Sequence, residues 1–159
     1  MSIEAILLWA SSTVRVLMLP DILHELSTED RFSYAKLLAH LSRIDGELTF
    51  EEMALFESRL GTAMLPPTMR KEIRKYLKQP PSLESSLKDM SQKAGRLALR
   101  DSVLMSAIDG EIDDEELETL YIIAEKFDMD KSSITLLVEW CQRGWTWMKE
   151  GLELLELED

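Results

Sequence analysis

Four carboxylates stand out by type and spacing: Asp45 with Glu52, and Asp109 with Glu116, each pair seven residues apart and each Asp followed by glycine. They lie in SRIDGELTFEE (42–52) and SAIDGEIDDEE (106–116), which are identical at seven of eleven positions and offset by 64 residues. Two carboxylates brought together across a tight turn offer oxygen ligands only, which suits a hard cation such as Ca²⁺, Mg²⁺ or Mn²⁺ better than Zn²⁺. Asp109, Gly110, Ile112 and Glu116 match positions 5, 6, 8 and 12 of an EF-hand loop. Positions 1 and 3 would then be Met105 and Ala107, or Leu41 and Arg43 in the first copy, and none of these carries a carboxylate. An ordinary calcium loop is excluded.

Most of the repeated motif also reads as folding signal. Gly46 and Gly110 suit the left-handed position after a helix end. Thr49 with Glu52, and Asp113 with Glu116, have capping-box spacing, while Leu48 with Met53 and Ile112 with Leu117 have the spacing of a hydrophobic staple. Asp45 and Asp109 fit that account poorly, because a carboxylate at a helix C-terminus faces the negative end of the macrodipole. Either the amides of the next helix start or a bound cation must compensate.

The elements that position these residues are helical. Ile3, Ile6, Leu7, Ala10, Val14 and Leu17 mark one face of a first helix ended by Pro20, with Leu8, Val16 and Met18 on its other side. Ser27 caps a second helix through Leu37, Leu38, Leu41 and Ile44, and Thr49 caps a third, ended by Gly61. Pro66 and Pro67 introduce a basic fourth with Met69, Ile73, Tyr76 and Leu77 inward. A helical region follows over 83–108 with a candidate break near Ser91; Asp113 then caps a helix to about Phe127, and Asp130 opens the last. No segment alternates as a strand does. The expectation is an all-α single domain over 1–159 of about seven helices, with repeat cores at 32–61 and 96–127 and a long C-terminal helix over 131–156.

That last helix carries Ile134, Val138, Cys141, Trp145, Met148, Leu152 and Leu155 at spacings of 4, 3, 4, 3, 4 and 3, a heptad seam flanked by Trp140, Trp147 and Leu154. It is expected to project, and a homodimer through it is one reading; a core-covering helix with a frayed end is the other.

With 30 Asp and Glu against 18 Lys and Arg, the net charge of -12 repels phosphate backbones, so nucleic acid is excluded as a direct partner. One cysteine rules out an intrachain disulfide. Glu4 stands where a signal peptide needs positive charge, and Ser11, Ser12, Thr13 and Arg15 interrupt the first apolar stretch, so a cytoplasmic protein is expected. The apolar first helix and the basic face of Arg70, Lys71, Arg74, Lys75 and Lys78 keep a peripheral membrane-associated partner open. Catalytic signals are lacking: His24 and His40 have no second histidine at metal spacing, Cys141 falls in the seam as a buried inert thiol, and no glycine-rich phosphate loop occurs.

At IDGELTFEE from Ile44 and IDGEIDDEE from Ile108, over roughly residues 32–130, the sequence resembles the TerB-like family, which includes tellurite-resistance TerB and the N-terminal region of DjlA-type co-chaperones. The resemblance implies an all-helical, pseudo-two-fold domain. It further implies a divalent-cation site at Asp45, Glu52, Asp109 and Glu116, no enzymatic activity, and engagement of protein partners in a stress response. The chain departs from the pattern at Arg43, opposite Ala107 in the second copy, and in its long Trp-bearing C-terminal helix. Arg43 places a positive charge beside one acidic loop only.

Overall fold

The computed structural model describes residues 21–42, 49–108 and 112–157; the expected first helix and both Asp-Gly steps lie outside the described residues. Those described residues form seven α-helices, one short 3-10 turn at Leu23–Glu25 and no strand. The helices are α1 (Thr28–Leu41), α2 (Phe50–Thr62), α3 (Pro67–Tyr76), α4 (Leu83–Leu87), α5 (Gln92–Ser106), α6 (Asp114–Lys126) and α7 (Ser132–Glu153).

Side-chain caps set most of the starts. Ser27 accepts from the Asp30 amide at 3.0 Å, and Glu29 and Asp30 occupy the positive end of α1. The helical region over 83–108 is two helices, broken near Ser91 as the sequence suggests. α4 stops at Leu87, and Ser91 opens α5 by accepting from the Ala94 amide at 3.2 Å. Ser91 is itself held by Asp30, through its amide at 3.0 Å and its hydroxyl at 2.7 Å, which ties the start of α5 to that of α1. Asp130 stands just before α7 and accepts from the Ser132 amide at 2.8 Å, while the cap position itself is Lys131, which makes no side-chain capping bond.

The third helix was expected to end at Gly61, and it does not. α2 runs through Gly61 to Thr62, and the left-handed residue beyond its end is Met64, at φ 50°. Arg31 makes that turn possible by donating to the carbonyls of Ala63 and Met64, both at 3.1 Å. A glycine signal was outweighed by a long-range arginine bond to the helix end.

The helix bounds recur at the repeat spacing: Thr28 and Gln92, Phe50 and Asp114, and Thr62 and Lys126 each stand 64 residues apart. α1 and α5 pack together at the centre; α2, α3 and α4 lie against α1, while α6 and α7 lie against α5. Leu37, Leu38, Phe56, Leu60, Leu99, Leu120 and Ile123 fill the core between them. Phe56 and Leu120 share a face as their spacing predicts. Met53 and Leu117 do not match as well, since Met53 is exposed and Leu117 half-buried.

α7 spans 22 residues, about 33 Å at 1.5 Å per residue. Its seam divides in two. Ile134 and Cys141 are buried and Val138 half-buried on the domain, but Trp145, Met148, Leu152 and Leu155 are exposed. The helix closes in a Schellman turn: Leu157 donates to Leu152 at 3.1 Å, Glu156 donates to Glu153 at 3.0 Å, and Glu156 takes φ 55°.

Candidate functional site

Of the four carboxylates singled out by the repeat, Glu52 and Glu116 fall within the described residues and Asp45 and Asp109 outside them. Both glutamates occupy the third position of their helix and close capping boxes. Glu52 Oε2 accepts from the Thr49 amide at 2.7 Å, and Thr49 Oγ1 accepts from the Glu52 amide at 3.2 Å. Glu116 Oε2 accepts from the Asp113 amide at 3.1 Å, and Asp113 Oδ1 accepts from the Glu116 amide at 2.8 Å. One oxygen of each carboxylate therefore satisfies an orphan helix-start amide. The two sites are unequal, because Glu52 is buried and Glu116 only half-buried. Among the described residues no three His, Cys, Asp or Glu side chains stand close enough to hold a metal ion.

A different polar cluster lies in the middle of the fold. Asp101 on α5 is 1% exposed, and its Oδ2 accepts from the Tyr34 hydroxyl at 2.6 Å, from Arg59 Nη2 at 2.9 Å and from Arg100 Nη2 at 2.8 Å. Arg100 Nε donates to Asp101 Oδ1 at 2.8 Å. Arg100 and Arg59 both reach on to Asp21 Oδ2, Arg100 at 2.7 Å. Asp21 Oδ1 in turn accepts from the amides of Ile22 and Leu23, at 2.7 and 3.2 Å. Two guanidinium groups and two carboxylates thus neutralise one another, joining α1, α2 and α5 to the stretch before the 3-10 turn.

Burial opposes every charge in this cluster, and mutual pairing outweighs it. Burial works to raise the Asp21 carboxyl, yet hydrogen bonds from Arg59 and Arg100 hold it below its usual range. Arg59 and Arg100 are held above theirs, against burial, by the facing Tyr34, Asp101 and Asp21. Burial, with Asp101 beside it, pushes the Tyr34 phenol well up. The Cys141 thiol, also buried near Asp101, is pushed up to about 11. Cys141 is therefore the inert thiol its place in the seam implied. Every charged group of the cluster is satisfied by another, so the arrangement holds helices together and presents no activated base or nucleophile.

Sequence reasoning missed this cluster, although a signal existed. Asp101 stands on the inward stripe of α5 with Ala94, Ala98 and Met105, and 64 residues before it is the buried Leu37. A carboxylate on an apolar stripe demands partners. On α3, Arg74 forms a bidentate pair with Glu57 at 2.7 and 2.6 Å, so part of the basic face is used within the chain. His24 and His40 each point Nδ1 at a backbone carbonyl, of Asp21 at 3.0 Å and of Pro81 at 2.7 Å.

No family model matches this chain, and no curated protein or solved structure matches it either. Among the described residues no helix is long and apolar enough to cross a membrane.

Proposed function

We propose that this chain is a non-enzymatic, TerB-like binding module: its two hairpins hold a divalent cation, Ca²⁺, Mg²⁺ or Mn²⁺, through Asp45, Glu52, Asp109 and Glu116, and its surface engages protein partners in a stress response of the tellurite-resistance kind. One observation carries the reading. Two capping boxes, each ending in a glutamate seven residues after an Asp-Gly aspartate, open helices whose bounds lie 64 residues apart. Such a duplication sets equivalent carboxylates at two equivalent helix starts, the arrangement expected of a pseudo-two-fold domain with a shared acidic site.

Calorimetric titration of the metal-free protein with Ca²⁺, Mg²⁺ and Mn²⁺ tests it, beside the variant Asp45→Asn/Asp109→Asn. Heat of binding and a metal-dependent rise in melting temperature are expected in the parent and lost in the variant, since a ligand of the folded state stabilises it. A parent that shows neither effect sinks the cation reading. The second reading is a metal-free scaffold that docks through apolar terminal helices. It draws support from the exposure of the last turns of α7 and from the commitment of one oxygen each of Glu52 and Glu116 to capping.

A further inference from the structure

The exposed half of α7 has more shape than a plain apolar stripe. Trp147 is 70% and Leu154 86% exposed, and with Met148, Glu150, Leu152 and Leu155 they surround a shallow hollow floored by Gly151. Gly144 repeats that floor one heptad earlier. A Cβ built on either glycine would meet nothing within 4 Å, so neither glycine is there to admit a neighbour from its own chain. Each costs the helix up to about 1 kcal/mol relative to alanine. On a helical wheel both glycines fall between the column of Trp147 and Leu154 and the column of Met148 and Leu155, in the middle of the apolar face.

We infer that this face is the seat of a second copy of the same helix, docked antiparallel so that Trp147 of each copy fills the Gly151 hollow of the other. The register follows from the positions alone. The pairs Trp147 with Gly151 and Gly144 with Leu154 share Lys149 as their midpoint. A single two-fold rotation about that point sets a large side chain on a glycine at both levels. Parallel helices in register would instead set glycine beside glycine and tryptophan beside tryptophan. Knobs and hollows on one self-complementary patch are what an isologous two-fold interface requires.

Area and charge favour the same occupant. Trp145, Trp147, Met148, Leu152, Leu154, Leu155 and Leu157 expose on the order of 800 Å² of apolar surface, taking about 250 Å² for a whole Trp and somewhat less for Leu and Met. Covering two-thirds of it on both copies buries about 1,000 Å², the lower bound for a specific interface. Glu150 borders the hollow on the Leu154 side and Glu153 lies across the helix beside Lys149, so the patch carries exposed carboxylates that an anionic membrane repels.

The test uses the full chain by sedimentation equilibrium from micromolar to several hundred micromolar, with Gly144→Leu/Gly151→Leu and Trp147→Ala beside the parent. The parent is expected to dimerise, and each variant to weaken the dimer by about tenfold or more. The double leucine variant fills open space and raises helix propensity, so its melting temperature at low concentration should hold or rise, which separates lost docking from lost folding. Register is read by mixing Cys141→Ser/Trp147→Cys with Cys141→Ser/Gly151→Cys under mild oxidation. A mixed disulfide forming faster than either self-disulfide supports the antiparallel seat. A parent that stays monomeric throughout, a dimer indifferent to the leucines, or a tail that binds vesicles while remaining monomeric would each overturn the inference. Nothing in it depends on the cation reading, whose calorimetric test leaves the tail untouched.

Discussion

The α1–α2 and α5–α6 hairpins begin and end their helices at matching places, and they solve the same packing problem with opposite side chains. Beyond the end of α2 the chain places small Ala63, and Arg31 covers the turn by bonding to its last carbonyls. Beyond the end of α6 stands Phe127 instead, and the position matching Arg31 is Gly95, whose missing side chain gives the ring its room. Arg96, one residue on, takes over the capping with bonds to Phe127 and Asp128 at 3.1 and 3.3 Å, and Asp128 adopts φ 51° as Met64 does at 50°. The same exchange occurs at the centre. Tyr34, Arg59 and Asp101 form the charged cluster, whereas their counterparts 64 residues away are Ala98, Ile123 and Leu37, all buried. Duplicated helix bounds thus survive wholesale change of the residues inside them.

The largest expected effect comes from breaking the polar half of that contrast. Asp101→Ala leaves Arg59 and Arg100 facing one carboxylate in a buried site, and should cost about 3–5 kcal/mol in urea unfolding. A loss below 1 kcal/mol would show that the cluster is not what holds α1, α2 and α5 together. Next is the volume swap. A Cβ on Gly95 would come within 2.2 Å of the Phe127 ring, so Gly95→Ala should destabilise by about 1–3 kcal/mol. Phe127→Leu should remove much of that penalty in a double-mutant cycle, and additivity would deny the close contact.

Two smaller effects sharpen the comparison. Thr49→Ala and Asp113→Ala each remove one side of a capping box, at about 1 kcal/mol apiece. The loss should be larger at Thr49, whose partner Glu52 is buried, and equal losses would mark the two helix starts as equivalent in energy as well as in position. The least is an acid effect at Asp21. Its folded pKa is depressed, so the stability it contributes is complete above about pH 4, the ordinary carboxylate range, and is lost as pH falls through the folded value. Asp21→Asn should flatten the acid limb of a pH–stability curve below that point while lowering stability above it.

Local chemistry made much of this fold legible in the sequence. Ser27, Thr49 and Asp113 each cap the helix they announced, because a short polar side chain before an apolar period acts on amides within three residues. Proline did the same for α3, which begins at Pro67. What escaped depends on partners distant in the chain. Gly61 reads as a stop only until Arg31 is brought to the helix end, and the place of Asp101 on an apolar stripe is explained only once Tyr34 and Arg59 converge on it. The seam of α7 is continuous in the sequence, and periodicity alone does not reveal that the domain runs out beneath it after Cys141. At the candidate cation site, the capping role of both glutamates was legible, while the Asp-Gly steps lie outside the described residues.

The single thiol of the chain stands at that boundary, 2% exposed and protonated at neutral pH where α7 leaves the domain. Alkylation there must wait for the thiol to be uncovered, so the rate of Cys141 labelling reports local opening where α7 meets the domain. The molecule carries its own gauge of how firmly its last helix is moored, readable without any engineered residue.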